Sequence, residues 1–330
     1  DDRYYQNAYN QQYKELQLDD GRGIITDINF NNITNTTPQL KTLVTVHDKD
    51  LQKVFNALTE EEKRDFYENM EYRKNFIVDI KETINGRKIY TSTKRYTDFN
   101  IAQHLIGYVD GEGNGVSGLE KVFDEQLKNS QEVNYLELNL NGYGEILSIE
   151  ENKKMINSEK IPQMLTLTTD NTIQRLCEGI AKEYIPNGAI VVMETKTGKI
   201  KAMVSTPFYS ANNVAQALNQ HNSPLLNKAL QSYEPGSVVK PLWAAVLLEN
   251  GYNPDKIYEC TGTITVNDHE YHCANNKAHG PVDMQQALTV SCNCYFINAY
   301  KGDKAQQFYE MAEEVSMGKS VQLTDGYFTK

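Results

Sequence analysis

Short apolar runs, few of them long enough for a helix, dominate the first half of this chain. Ile24 to Ile28, Leu43-Val44-Thr45-Val46 and the alternating stretch Arg87 to Thr93 read as strands. Tyr135 to Asn141 sets Leu136, Leu138 and Leu140 against Glu137 and Asn139, the pattern of a half-exposed antiparallel strand. Asn29 to Thr37 reads as a loop, and Thr59-Glu60-Glu61-Glu62 offers a capping box for a helix running towards Asn69. The polar, Tyr/Gln/Asn-rich residues 1–20 lean towards helix. Asn152 to Pro162 is rich in Lys and Glu and suits a domain boundary.

Beyond that stretch the periodicity changes. Ile173, Leu176, Cys177, Ile180, Ala181 and Tyr184 keep helical spacing behind a Thr169-Asp170 cap. Ala189 to Met193 and Ile200 to Val204 then make a hairpin about Thr195 to Gly198. That boundary places an N-terminal domain over 1–160 and a second domain over 161–330.

The second domain is organised around SYEPGSVVKPLWAAVLLENG, from Ser232 to Gly251. Pro235-Gly236 is a turn signal, and the run from Val238 to Leu248 is apolar on nearly every face, which predicts a helix buried all round. Pro241 falls in its first turn, where the missing N–H costs little, and Gly251 stops it. Ser237 and Lys240 stand at i and i+3, on one helix face. An ammonium at the mouth of an apolar helix, near the positive end of its dipole, loses its proton more readily. Such a lysine can take the proton of a serine hydroxyl and make it a nucleophile. S-x-x-K by itself also describes an ordinary capping serine beside a surface lysine. Ser291-Cys292-Asn293 lies 54 residues on, after a short helix over Val282 to Val290, and supplies a second hydroxyl and a carboxamide. These can relay the proton to a leaving amine and orient an amide substrate.

With S-x-x-K and S-x-N in order, the chain resembles the class B penicillin-binding proteins, D,D-transpeptidases that cross-link peptidoglycan. Gly21 to Asp27 (GRGIITD) resembles the family's RGxIxD segment, and His104 to Tyr108 with Gly115 to Glu120 its second N-terminal signature. Ala189 to Ser205 is similar to the strand pair that opens the transpeptidase domain. The resemblance implies an α+β fold: a penicillin-binding/β-lactamase-like domain, with a sheet flanked by helices, on an N-terminal pedestal that positions it. It implies stem peptides as substrates, β-lactams as inhibitors that acylate Ser237, and a membrane glycosyltransferase as partner. It also implies an extracytoplasmic location and an N-terminal anchor not included in this chain, with no cofactor required for the chemistry. The family's third box, Lys/His-Thr/Ser-Gly, should follow S-x-N, and Gly302 to Lys330 does not supply it. Lys196-Thr197-Gly198 has the letters but precedes Ser237 and closes a hairpin, so it reads as a turn. We therefore expect the transpeptidase domain to lack its C-terminal part here.

Five cysteines add a second question. Cys177 lies on an apolar helical stripe and reads as core; Cys292 and Cys294 flank Asn293 and read as small buried thiols. Cys260 and Cys273 bracket a hairpin turning at Asn267-Asp268, so its ends meet, and His269, His272 and His279 lie close in sequence. Two thiols and a histidine suit a structural zinc site, with Cys260, Cys273 and His279 as ligands and the fourth unknown. A disulfide fits the extracytoplasmic location equally well, and two free thiols are the third account.

Composition narrows the rest. A net charge of −11 excludes a nucleic-acid footprint. No apolar run approaches the ~18 residues of a membrane span. Gly113 to Gly118 matches GxGxxG, but the alternating strand that follows is not the buried parallel strand a dinucleotide fold needs. Two classes stay open: a serine acyltransferase, with a serine β-lactamase as its chemical relative, and a non-catalytic β-lactam sensor or scaffold of the same fold.

Overall fold

The computed structural model describes residues 12–45, 47–58, 60–72, 74–97, 100–128, 130–155, 163–300, 305–320, 322–324 and 327–328. The chain forms two compact units, residues 1–229 and 230–330. The stretch 152–162 therefore lies inside the first unit, and 156–162 fall outside the described residues. So does Thr59 of the capping box, although its helix is present at Glu60–Glu71.

Two three-stranded antiparallel sheets open the first unit. Strands β1 (Tyr13–Gln17), β6 (Glu132–Leu140) and β7 (Ile146–Met155) form one, in the order β1-β6-β7. Tyr13–Gln17 is thus a strand where the polar sequence leaned to helix; its pairing with β6 supplies what local propensity does not. Strands β3 (Thr37–Val44), β4 (Phe76–Ile80) and β5 (Tyr90–Lys94) form the other, with β3 central. Val44, Val78 and Ile80 pack there with Val54 and Leu58 into a closed apolar cluster.

The signature segments of the sequence come together in this unit. Arg22 Nε lies 2.7 Å from Glu120 Oε2, and Arg95 Nε lies 2.7 Å from Glu120 Oε1. Tyr96 donates its hydroxyl to the same carboxylate at 2.7 Å, and Arg22 also reaches Asp124. Glu120 is fully buried. Burial opposes its ionisation, but Arg95 and Arg22 outweigh this and hold its carboxyl below the usual range. Glycine is needed where this segment folds on itself: a Cβ at Gly107 would stand 1.9 Å from the Ser117 carbonyl oxygen, and one at Gly115 2.0 Å from that of Glu120.

The same unit carries the start of the second domain. β2 (Ile24–Thr26) pairs in parallel with β8 (Met164–Thr166). The helix Asn171–Tyr184 follows, capped by Asp170, which accepts from the Thr172 and Ile173 amides as expected. Its face of Cys177 and Ala181 packs on Ala202 and Val204 of the hairpin β9 (Gly188–Met193) and β10 (Ile200–Thr206). Cys177 is core. Lys196-Thr197-Gly198 is the exposed turn of that hairpin.

The second unit begins with a 3-10 turn, Gly236–Val239, running into the helix Lys240–Glu249. Pro241 sits in its first turn. The helix is not buried on every face: Val246 and Leu247 are enclosed, but Leu248 is 50% exposed and Val238, in the turn, 80%. Its inner face packs with the helix Asn293–Ala299, and Trp243 lies against Phe296 and Tyr300. β12 (Thr263–Val266) and β13 (His269–His272) form the expected hairpin, and Asn267 and Asp268 both take the left-handed backbone of a tight turn. β11 (Tyr258–Cys260) pairs with β14 (Gly280–Val282), which leads into the helix Met284–Thr289 behind an Asp283 capping box.

Candidate active site and thiol cluster

Ser237 lies in the 3-10 turn, one residue after Gly236, whose φ of 57° lets the chain bend into the helix. Three residues on, Lys240 opens the helix and is 4% exposed. Its Nζ stands 2.8 Å from Ser237 Oγ and 2.8 Å from Ser291 Oγ, and donates to the Ser291 carbonyl at 3.1 Å. The two hydroxyls are themselves 2.8 Å apart. Ser291 reaches this position with a left-handed backbone, φ 55°, between two helices. Burial lowers the Lys240 pKa below the ordinary lysine value, opposed by the nearby Cys273 and Cys292 sulfurs.

Asn293, the third residue of S-x-N, donates its side-chain amide to the His272 carbonyl at 2.8 Å and so ties the helix to the hairpin. Ser237, Lys240 and Asn293 line a cleft of about 400 Å³ whose apolar wall includes Trp243, Tyr271 and Ile297. All four residues expected from the two boxes, Ser237, Lys240, Ser291 and Asn293, thus meet in one place. Tyr271, Trp243 and Ile297 are among the lining residues that sequence reasoning did not single out; only the fold brings the exposed hairpin strand to the cleft.

Behind the site lies a cluster of sulfur. Cys260 ends β11, Cys273 follows β13, and His279 precedes β14, whose pairing with β11 sets Gly280 opposite Cys260. Cys260 Sγ is 3.7 Å from Cys273 Sγ and 3.6 Å from His279 Nδ1. Cys292 caps the helix Asn293–Ala299, its sulfur accepting from the Tyr295 amide, and lies 3.8 Å from Cys273 Sγ. The donor atoms of Cys260, Cys273, His279 and Cys292 all lie within 4.8 Å of one another. Cys292 is the fourth member, which the sequence left unknown: as the middle letter of S-x-N it read as a buried thiol. His269 and His272, on the exposed hairpin strand, are not among the grouped donors. All five cysteines are buried and unbridged.

The family model described as penicillin binding protein transpeptidase domain matches residues 188–328. Residues 188–328 are thus similar to the transpeptidase domain of the penicillin-binding proteins. Among curated members of this group, peptidoglycan D,D-transpeptidase FtsI of Buchnera aphidicola subsp. Schizaphis graminum is 29% identical over 169 residues, covering 49% of this chain and 28% of that protein. Peptidoglycan D,D-transpeptidase MrdA of Haemophilus influenzae is 26% identical over 195 residues, covering 55% of this chain and 29% of that protein. These matches therefore take in less than a third of either relative's length. Among solved structures, a penicillin-binding protein (PBP2) from Helicobacter pylori shares the fold, with TM-score 0.65 and 22% identity, covering 93% of this chain and 66% of that one. The α+β architecture is that of the penicillin-binding proteins. Among the described residues no helix is long and apolar enough to cross a membrane.

Proposed function

We propose that this chain carries the catalytic serine of a peptidoglycan D,D-transpeptidase, with Ser237 as nucleophile. The observation that carries the reading is one buried amine, Lys240 Nζ, held 2.8 Å from both the Ser237 and Ser291 hydroxyls. In its neutral form that amine takes the Ser237 proton as Oγ attacks the carbonyl of a D-Ala-D-Ala amide. The tetrahedral intermediate collapses with loss of the terminal D-Ala, whose nitrogen receives a proton through Ser291. The amine of a neighbouring stem peptide then attacks the acyl-enzyme and restores Ser237. Asn293 orients the substrate amide. β-Lactams, strained amides of the same shape, acylate Ser237 and stop there.

In this reading residues 1–160 position the enzyme and 161–330 bear its chemistry, at the outer face of the cell membrane behind an N-terminal anchor. A membrane glycosyltransferase that polymerises the glycan is the expected partner; a solved structure of similar fold, TM-score 0.60, is described as coordinating polymerization and crosslinking in a peptidoglycan synthase complex. The full-length protein should turn over a D-Ala-D-Ala peptide or thioester and form cross-linked dimers in the presence of an acceptor amine. A protein that is acylated by penicillin but turns over neither substrate is a sensor or scaffold, and the transpeptidase reading then fails.

We further propose that Cys260, Cys273, His279 and Cys292 hold a structural zinc ion. Three sulfurs and one imidazole nitrogen are a usual tetrahedral set, and ligands ~2.3 Å from a central zinc put sulfurs ~3.8 Å apart, close to the 3.7 and 3.8 Å found here. A zinc ion there would brace Ser291 and Asn293, which flank Cys292, and His272, which precedes Cys273. Purified protein should contain about one equivalent of zinc, and a chelator should lower the melting temperature. A disulfide predicts the reverse: reductant destabilises and chelator does nothing.

A further inference from the structure

The cleft beside Ser237 has a shape that the acylation chemistry leaves unused. Two helices flank it. Lys240 and Trp243 lie one turn apart on the first, just beyond Ser237, and Asn293 and Ile297 lie one turn apart on the second. Strand β13 adds Tyr271 from the hairpin. Among the described residues, no carboxylate or guanidinium lines the cleft. Next to the nucleophile, then, is a slot with apolar walls.

Those walls are held in place. The Trp243 ring has Phe296, Tyr300 and Phe308 around it at 6.1, 5.9 and 5.9 Å between centroids. The Tyr300 hydroxyl also donates to the Trp243 carbonyl at 2.8 Å. Tyr271 stands opposite Ile264 in the hairpin register; Ile264 enters the core, whereas Tyr271 stays 42% exposed at the cleft. Rings fixed before a ligand arrives bind it without a further ordering cost. The lining also tells which side of the reacting carbonyl faces the slot. Ser291, which protonates the leaving amine, is not among the lining residues; Asn293, which orients the substrate amide, is. The slot therefore takes the acyl side.

Resting on the acylation of Ser237 read above, we propose that this slot seats the group flanking the reacting carbonyl on its acyl side, and that Tyr271 and Ile297 are specificity-determining residues which favour an uncharged, apolar group there. A charged group would give up its water against Trp243 and Ile297. Lys240, the ammonium in the lining, is already engaged by both serine hydroxyls. Loss of one apolar contact in such a pocket is worth roughly tenfold or more in discrimination.

The test uses the full-length protein and three penicillins that differ at one carbon of the acyl side chain: benzylpenicillin, its α-carboxy analogue and its α-amino analogue. Acylation rates are read by intact mass. The wild type should react with benzylpenicillin about tenfold faster than with either charged analogue. Tyr271→Ala should slow benzylpenicillin about tenfold and leave the analogues nearly unchanged, so that the preference collapses. Tyr271→Phe should keep it. Ile297→Ala, on the opposite wall, should weaken the preference in the same direction. Because each preference is a ratio of rates on the folded fraction, partial misfolding of a variant does not alter it. Equal slowing of all three penicillins in both alanine variants would make these residues structural and overturn the proposal. A wild type that reacts fastest with the α-amino or α-carboxy analogue overturns it too, the first result marking the rings as a cation site. A wild type that none of the three acylates fails the Ser237 reading itself, a result distinct from a lost preference.

Discussion

Lys240 concentrates the catalytic argument on one atom. Its ammonium is enclosed and reaches two hydroxyls and a carbonyl. Burial therefore lowers its pKa, and the neutral amine, the form that acts as base, gains population as pH rises. Acylation by a fluorescent penicillin should accordingly accelerate with rising pH and level off once the amine is neutral, at a pH below that of an ordinary lysine; stopped-time labelling across pH measures this. Ser237→Ala should remove the adduct, and peptide mapping that still finds label in that variant refutes the assignment. Lys240→Ala should slow acylation by roughly 10²- to 10⁴-fold, the usual worth of a positioned base, with circular dichroism unchanged.

Elements, not single residues, decide the first unit. The segment Gln103–Ile106 is one helical turn, too short to hold by itself. His104 pins it: the ring is buried against Tyr209, and Nε2 meets the Pro224 carbonyl at 2.7 Å. Burial, with Lys228 nearby, pushes its pKa down to about 4. The unfolded chain takes up this proton near pH 6.5 and the folded one only near 4, so stability is full above 6.5 and is lost as pH falls through that window. The loss is roughly 3 kcal/mol. His104→Gln should flatten the pH dependence of the melting temperature between pH 6.5 and 4. The Glu120 cluster predicts a different signature. Glu120→Gln leaves Arg95 buried without its carboxylate and Arg22 with Asp124 alone, and should cost about 3–5 kcal/mol in denaturant unfolding.

At the scale of the molecule, residues 1–160 and the strand and helix that follow them share structure. β8 pairs with β2, the Asp27 carboxylate accepts the Asn171 amide at 3.0 Å, and Glu178 accepts the Ala102 amide at 2.7 Å. A fragment beginning near Lys160 would lose the partner of β8 and these links to the helix Asn171–Tyr184. We expect it to melt well below the longer chain and to acylate poorly, which thermal unfolding and penicillin labelling of matched fragments would establish. A fragment of full stability would show that the first 160 residues are a detachable pedestal.

How far the sequence reached depends on whether a feature is local. The serine and lysine of S-x-x-K are one helical turn apart, so backbone geometry alone sets them on one face, and their letters sufficed. The hairpin turning at Asn267-Asp268 was legible for the same reason: two left-handed residues in a row favour Asn and Asp, and its ends must meet. Asp170, likewise, caps its helix through its own neighbours. Tertiary structure had to decide the rest. Tyr13–Gln17 is a strand because β6, more than a hundred residues on, pairs with it. The apolar run after Ser237 is only partly enclosed, because periodicity records what a face can bury and not what arrives to cover it. Cys292 joined Cys260, Cys273 and His279 for the same reason. Its sequence neighbours, Ser291 and Asn293, advertise chemistry of their own, and the approach of its sulfur to three distant donors depends on how the helix Asn293–Ala299 packs against the hairpin. Local dihedral preference is written in neighbouring residues; proximity across the fold is a sum over packing contacts that no neighbouring residues encode.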